Sequence, residues 1–158
     1  MPRGRSSSSR RAFALDTSVI VEYINEDSPY RVEELFDLIS RGAARAYVSS
    51  VTLSEVVYVA SRLYAEAGVG DPNARALEFA EWLLALPGVV LEPVGRELAL
   101  AAGELRKRLR LALPDLYVVA LGRLRGATPL FLRLEGEMRR YEQELRELGA
   151  AFWAELAR

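Results

Sequence analysis

Phe13-Ala14-Leu15-Asp16-Thr17-Ser18-Val19-Ile20 is the stretch on which the fold turns. A short apolar segment, Ala12 to Leu15, reads as a strand and runs into an acid, after which Val19 to Ile24 reads as a helix. A strand that ends on a carboxylate and passes at once into a helix presents that carboxylate where open α/β sheets gather their ligands, at the carboxyl ends of the strands.

Working outward, strands and helices alternate. Val32, Leu35, Phe36 and Ile39 recur at helical spacing and predict an amphipathic helix ending at Gly42. Ala46 to Ser49 reads as a second strand, and Thr52-Leu53-Ser54-Glu55 opens a long helix to about Ala67. Ala74 to Leu86 reads as another helix, broken by Pro87-Gly88, before a third strand at Val89 to Leu91. Helices over Arg96 to Leu111 and Pro114 to Arg125 precede a fourth strand at Pro129 to Leu132. Gly136 to Leu148 is helical in pattern, and Ala151 to Arg158 reads as helix or frayed terminus. Such alternation predicts an α/β domain with a parallel sheet covered by helices. Residues 12–158 are expected to form one domain, and Met1 to Arg11, a Ser run flanked by arginines, a disordered basic tail without the apolar segment of an export signal.

Composition narrows the chemistry. The chain has 158 residues, 51% hydrophobic and 27% charged, which is globular. It contains no cysteine and no histidine, so thiolate chemistry, imidazole ligation and a Ser-His-Asp triad are excluded. A metal would therefore sit on oxygen ligands, which suit Mg²⁺, Mn²⁺ or Ca²⁺. Net charge is −1, so any hold on nucleic acid must be local. Lys107 is the only lysine, leaving cationic contacts to arginine, although a general bias towards arginine codons explains that equally well. No segment approaches the roughly 18 apolar residues of a membrane span.

The acids fall in a pattern. Asp16 closes strand one, Glu55 sits in the first turn of the helix after strand two, Asp115 opens another helix, and Glu135 and Glu137 lie just past strand four. Each has an ordinary explanation when taken alone. Asp16 reads as an N-cap, Thr52-x-x-Glu55 as a capping box, and Asp115 after Pro114 as an acid favoured by the helix dipole. Together they occupy one edge of the predicted sheet, where they can converge.

Three of these stretches resemble, in order and spacing, the motifs of PIN domains: Phe13 to Ile20, Thr52-Leu53-Ser54-Glu55-Val56, and Leu113-Pro114-Asp115-Leu116-Tyr117-Val118-Val119-Ala120-Leu121-Gly122. Ala101-Ala102-Gly103-Glu104-Leu105-Arg106 is similar to the VapC-type toxins within that family, and the resemblance spans Phe13 to Met138. It implies a three-layer PIN-like α/β fold with a central parallel sheet of four to five strands. The fourth motif departs from the family pattern. Where a Thr-x-Asp-x-Asp-Phe-like element is usual, Arg133-Leu134-Glu135-Gly136-Glu137-Met138 places Glu at both acids and Arg133 in place of Thr. Beyond Met138 the pattern is more helical than the short closing strand of the family.

The resemblance implies a Mg²⁺- or Mn²⁺-dependent endoribonuclease, the toxin of a VapBC toxin-antitoxin pair, leaving a 5′-phosphate and a 3′-hydroxyl. Asp16 and Asp115 would ligate the metal, Glu55 would bind it directly or through water, and Glu135 or Glu137 would complete the site or orient the attacking water. Ser18 is placed to hydrogen-bond a carboxylate or phosphate oxygen, or is simply a first-turn serine. Arg106 and Arg110 either meet RNA or form a solvated basic face. The implied partners are RNA, a cognate antitoxin and a second copy in a homodimer, in the cytoplasm and away from membranes. Helices around Val57 to Leu63 and Phe79 to Leu84, with Tyr58, Tyr64, Phe79 and Trp82, are the candidate contact surface. The alternative is a PIN-like module that binds RNA or a partner with little or no cutting. A haloacid-dehalogenase-like phosphatase is excluded because Ser18 stands where it needs a second Asp, and a response-regulator receiver because its late lysine is absent.

Overall fold

Alternation of side chains along short strands builds the layers that carry the site. The computed structural model describes residues 11–157. Its sheet comprises β1 (Arg11–Leu15), β2 (Ala44–Ser49), β3 (Val89–Glu92), β4 (Thr128–Phe131) and β5 (Ala151–Phe152), ordered β3-β2-β1-β4-β5 with every pairing parallel. β1 lies in the middle, and the connections leave it in opposite directions, which makes its carboxyl end the switch point of the sheet. Phe13 and Leu15 enter a core beneath α1 (Thr17–Glu22), α2 (Val32–Ser40), α3 (Ser50–Glu66) and α4 (Pro72–Ala85). Ala14 enters a second core beneath α5 (Arg96–Arg108), α6 (Leu113–Arg125) and α7 (Glu142–Glu147). Leu130 and Phe131 on β4 part in the same way. Two cores on two faces of one parallel sheet form the three layers that the sequence implies, with five strands.

Close packing sets the position of α6, which carries Asp115. At Gly122 a Cβ would stand 2.6 Å from Pro129 Cγ and 2.8 Å from the Ala127 carbonyl oxygen, so only glycine lets the helix lie this near β4. Gly126 then ends α6 in the left-handed region, at φ 61°, and its N–H donates to the Gly122 carbonyl.

Several boundaries differ from the sequence reading. β1 begins at Arg11, one residue earlier than expected; the rest of the basic tail, Met1 to Arg10, lies outside the described residues. α1 begins at Thr17 because Asp16 itself caps it. α5 stops at Arg108 rather than Leu111, since Leu109 turns extended and both leucines drop into the core. The predicted helix over 136–148 is a 3₁₀ helix, Gly136–Tyr141, followed by α7. Ala151 to Arg158, expected as helix or frayed end, instead supplies the closing strand β5 and then one helical turn, α8 (Trp153–Leu156). Phe152 and Trp153 enter opposite cores, and Ala154 N–H donates to the Leu132 carbonyl at 2.9 Å. Two residues are too few to show a period in the sequence.

The aromatic candidates for a contact surface divide. Phe79, 7% exposed, and Trp82 stack with Tyr23 and Phe36 against the first core, so Phe79 is core and not surface. Tyr64 packs against the same core beneath the Arg75 guanidinium, whereas Tyr58 is 67% exposed.

Candidate functional site

β1 hands over to α1 at Asp16, whose N–H donates to the Leu130 carbonyl at 2.9 Å, beside the end of β4. The backbone there is extended, and the carboxylate turns back over the first turn of α1. Its Oδ2 accepts the Ser18 N–H at 3.0 Å and the Ser18 hydroxyl at 2.6 Å. Ser18 Oγ in turn accepts the Leu132 N–H at 3.1 Å, tying the chain just past β4 to the same carboxylate. Capping and site-building are therefore one arrangement: the bonds that start the helix also aim Asp16. Asp16 is 8% exposed; burial raises its pKa, and the Ser18 bonds oppose that rise.

Glu55 is not part of a capping box. Ser49 caps α3, accepting the Thr52 N–H at 3.1 Å, so Glu55 falls in the second turn and has no orphan amide to meet. Its Oε1 accepts the Thr17 hydroxyl at 3.0 Å, linking α3 to the residue beside Asp16. Burial pushes the Glu55 carboxyl up, the Thr17 bond opposes this, and the Asp16 charge adds to it. The sequence reading did not single out Thr17 as the partner of Glu55; the contact spans 38 positions, and no local pattern encodes it.

Asp115 lies in the first turn of α6, directly after Pro114. Its carboxyl is pushed up to about 7, first by burial and then by the charges of Asp16, Glu55 and Glu137. Those causes place the four acids in one electrostatic neighbourhood. A cavity of about 280 Å³ opens there, lined by Asp16, Ser18, Asp115, Arg133, Glu135 and Glu137 over Phe131 and Met138.

The two candidate acids of the fourth motif differ. Glu135 Oε2 accepts from Arg133 Nε at 2.9 Å in an exposed ion pair, while Glu137 lies in the first turn of the 3₁₀ helix and its charge bears on Asp115. Arg106 and Arg110 are exposed, on α5 and in the following loop, and do not line this cavity. The donors are all carboxylate and hydroxyl oxygens, the chemistry that divalent Mg²⁺ and Mn²⁺ prefer. As the side chains stand, no group of three or more Asp or Glu among the described residues is closed tightly enough to hold an ion. The set thus fits such a cation in chemistry and in its shared electrostatics, and needs side-chain closure to ligate one.

The family model for the PIN domain matches residues 13–142. This chain belongs to the PIN-domain family. No curated protein matches it. Among solved structures, this PIN domain is similar to a DNA-bound VapBC from Salmonella typhimurium, 20% identical, covering 90% of this chain and 98% of that one, with a TM-score of 0.65. VapBC-1 from nontypeable Haemophilus influenzae is 16% identical, with 90% and 98% covered and a TM-score of 0.61. VapBC2 from Rickettsia felis, bound to a promoter DNA fragment, is 17% identical, with 84% and 92% covered and a TM-score of 0.60. Among the described residues no helix is long and apolar enough to cross a membrane.

Proposed function

We propose that this PIN domain is a divalent-metal-dependent endoribonuclease, the VapC-type toxin of a toxin-antitoxin pair. One observation carries the reading: Asp115 sits at the carboxyl edge of the sheet where burial first, and then the charges of Asp16, Glu55 and Glu137 from three other segments, push its carboxyl up to about 7. Mutual repulsion of this kind is relieved by a cation. When bound, Mg²⁺ or Mn²⁺ supplies a Lewis acid that neutralises charge on phosphoryl oxygens and lowers the pKa of water. The chain's own residues do the rest. Asp16 and Asp115 are the principal ligands, and Glu55 completes the set directly or through water. Ser18 and Thr17 hold Asp16 and Glu55 in place, and Glu137, not Glu135, serves the position near Asp115.

The likeness to VapBC structures supports an antitoxin as partner. Here an antitoxin arginine enters the cavity beside Asp16 and Asp115, within the field of Glu55, as a charge-assisted pair and excludes the metal. Purified complex is then expected to bind Mn²⁺ poorly and to recover binding when the partner is digested; equal binding by complex and free protein would rule this out. The toxin acts as a homodimer in the cytoplasm.

The test is cleavage of a labelled RNA by the purified chain in Mn²⁺ or Mg²⁺. Cutting is expected with metal, is abolished by chelator, and is lost in Asp16→Asn and Asp115→Asn at unchanged circular dichroism. A second reading, a PIN module that binds RNA or a partner without cutting, is favoured by the open ligand set and by Glu135 being occupied with Arg133. Binding with no cleavage at any Mn²⁺ concentration would select it.

A further inference from the structure

Among the described residues lining the acidic cavity, one is basic, and its placement is built. Arg133 stands two residues past β4. Its Nε donates to Glu135 Oε2 at 2.9 Å and its Nη1 to the Tyr30 hydroxyl at 2.8 Å, with the guanidinium carbon 5.7 Å from the centre of the Tyr30 ring. Tyr30 is itself pinned, its N–H donating to Ser28 Oγ at 3.2 Å and its carbonyl accepting the Trp153 indole N–H at 2.7 Å. The guanidinium is thus aimed by a neighbour two residues on, Glu135, and by Tyr30 from a distant part of the chain, itself anchored to α8. Those two bonds engage two of its five N–H donors, leaving three for an incoming acceptor.

A cation in this position works against a metal site, because like charges repel. What it favours is an anion. A cavity walled by carboxylates otherwise repels a nucleic-acid strand, and a net charge of −1 gives no general attraction to offset that. The planar fork of arginine matches the two free oxygens of a phosphodiester.

We propose that Arg133 is a positioning residue that grips a backbone phosphate of single-stranded RNA beside the scissile one, with Tyr30 and Glu135 holding its guanidinium at the cavity mouth. The proposal rests on the ribonuclease reading and deepens it by assigning where the strand is held. It also gives Glu135 a task distinct from that of Glu137, aiming the arginine.

The experiment is fluorescence anisotropy with a labelled single-stranded oligoribonucleotide, using the full chain in an Asp115→Asn background at several salt concentrations. Arg133→Ala is expected to weaken binding about tenfold and to flatten the slope of log K against log salt by about 0.7, the change that follows when one phosphate fewer is neutralised on a single strand. Arg133→Lys is expected to keep the slope and lose part of the affinity, because it retains the charge without the fork. Tyr30→Phe, which keeps the ring and loses the acceptor, is expected to weaken binding about threefold. An unchanged affinity and slope in Arg133→Ala would overturn the proposal. So would weaker binding at unchanged slope with a lowered melting temperature, the signature of a mere strut, or the absence of salt-dependent RNA binding in the parent. Separately, failure of the wild-type chain to cleave RNA, with the salt slope still tracking Arg133, would defeat the ribonuclease reading and leave the phosphate grip standing.

Discussion

Asp16 and Glu137 face the same cavity from segments of opposite character. Asp16 is buried at the end of the central strand, and its carboxylate takes two bonds from Ser18, which is itself tied to the chain past β4. Glu137 stands exposed on a 3₁₀ helix, with no side-chain hydrogen bond among the described residues to aim it. The first acid is aimed by the same contacts that start α1 and tie it to the chain past β4. The second is free of the fold, and it is here that the chain departs from the usual PIN pattern, with Glu for Asp and Arg133 for Thr. A longer acid on an unconstrained segment keeps its reach without asking anything of the sheet.

The comparison predicts a graded loss of activity. If Asp16 and Asp115 are the principal ligands proposed, Asp16→Asn and Asp115→Asn each cost several kcal/mol of transition-state stabilisation, and cleavage is expected to fall about 10³-fold or more. Residual activity within about tenfold of wild type would show that the buried acids do not carry the chemistry. Thr17→Val and Ser18→Ala remove the groups that aim Glu55 and Asp16, and rates about 10- to 100-fold lower are expected, as for other residues that orient metal ligands. Glu137→Gln is expected to cost about tenfold, and Glu135→Gln less. The reverse order for the two glutamates would mean that the Arg133 pair, rather than the charge facing Asp115, completes the site.

Stability gives the comparison a second edge, and a smaller one. The Asp115 carboxyl titrates near 7 in the folded chain against an ordinary 3.8, so the folded state holds a proton that the unfolded state releases. Its contribution is full below about pH 4 and is lost as pH rises through 7. Metal-free protein should therefore melt lower at about pH 8 than at about pH 5, and Asp115→Asn should reduce that difference while abolishing activity. Each kcal/mol corresponds to about 2–4 °C in a chain of this size. Millimolar Mn²⁺ should restore the loss at the higher pH, since binding to the native state stabilises it. A melting temperature indifferent to pH and Mn²⁺ would return Asp115 to the role of an ordinary first-turn acid.

Much of this was legible in the sequence, for reasons that are local. An apolar run ending on Asp16, the amphipathic spacing of Val32 to Ile39, and Pro114-Asp115 opening a helix are patterns within a few residues, and each proved right in kind. What was missed is non-local or too short. Thr52-x-x-Glu55 fits a capping box by spacing, but Ser49 reaches the amide first, and Glu55 bonds Thr17 across the fold. β5 has two residues, and only its parallel pairing with β4, Leu130 beside Ala151 and Phe131 beside Phe152, makes it a strand. Phe79 shows the same limit, since helical spacing places it on a face without saying which face another layer will cover.

Whether Asp16, Glu55, Asp115 and Glu137 share one divalent cation is read out by calorimetric titration of Mn²⁺ into the metal-free protein. Run at about pH 7 in two buffers of different ionisation enthalpy, the titration counts the protons that the metal displaces. With the Asp115 carboxyl near 7, saturable binding should release about half a proton per ion, falling towards zero by about pH 8.5, and Asp115→Asn should bind far more weakly. No saturable Mn²⁺ binding, or equal binding by Asp115→Asn, would mean that these four acids do not hold a shared cation.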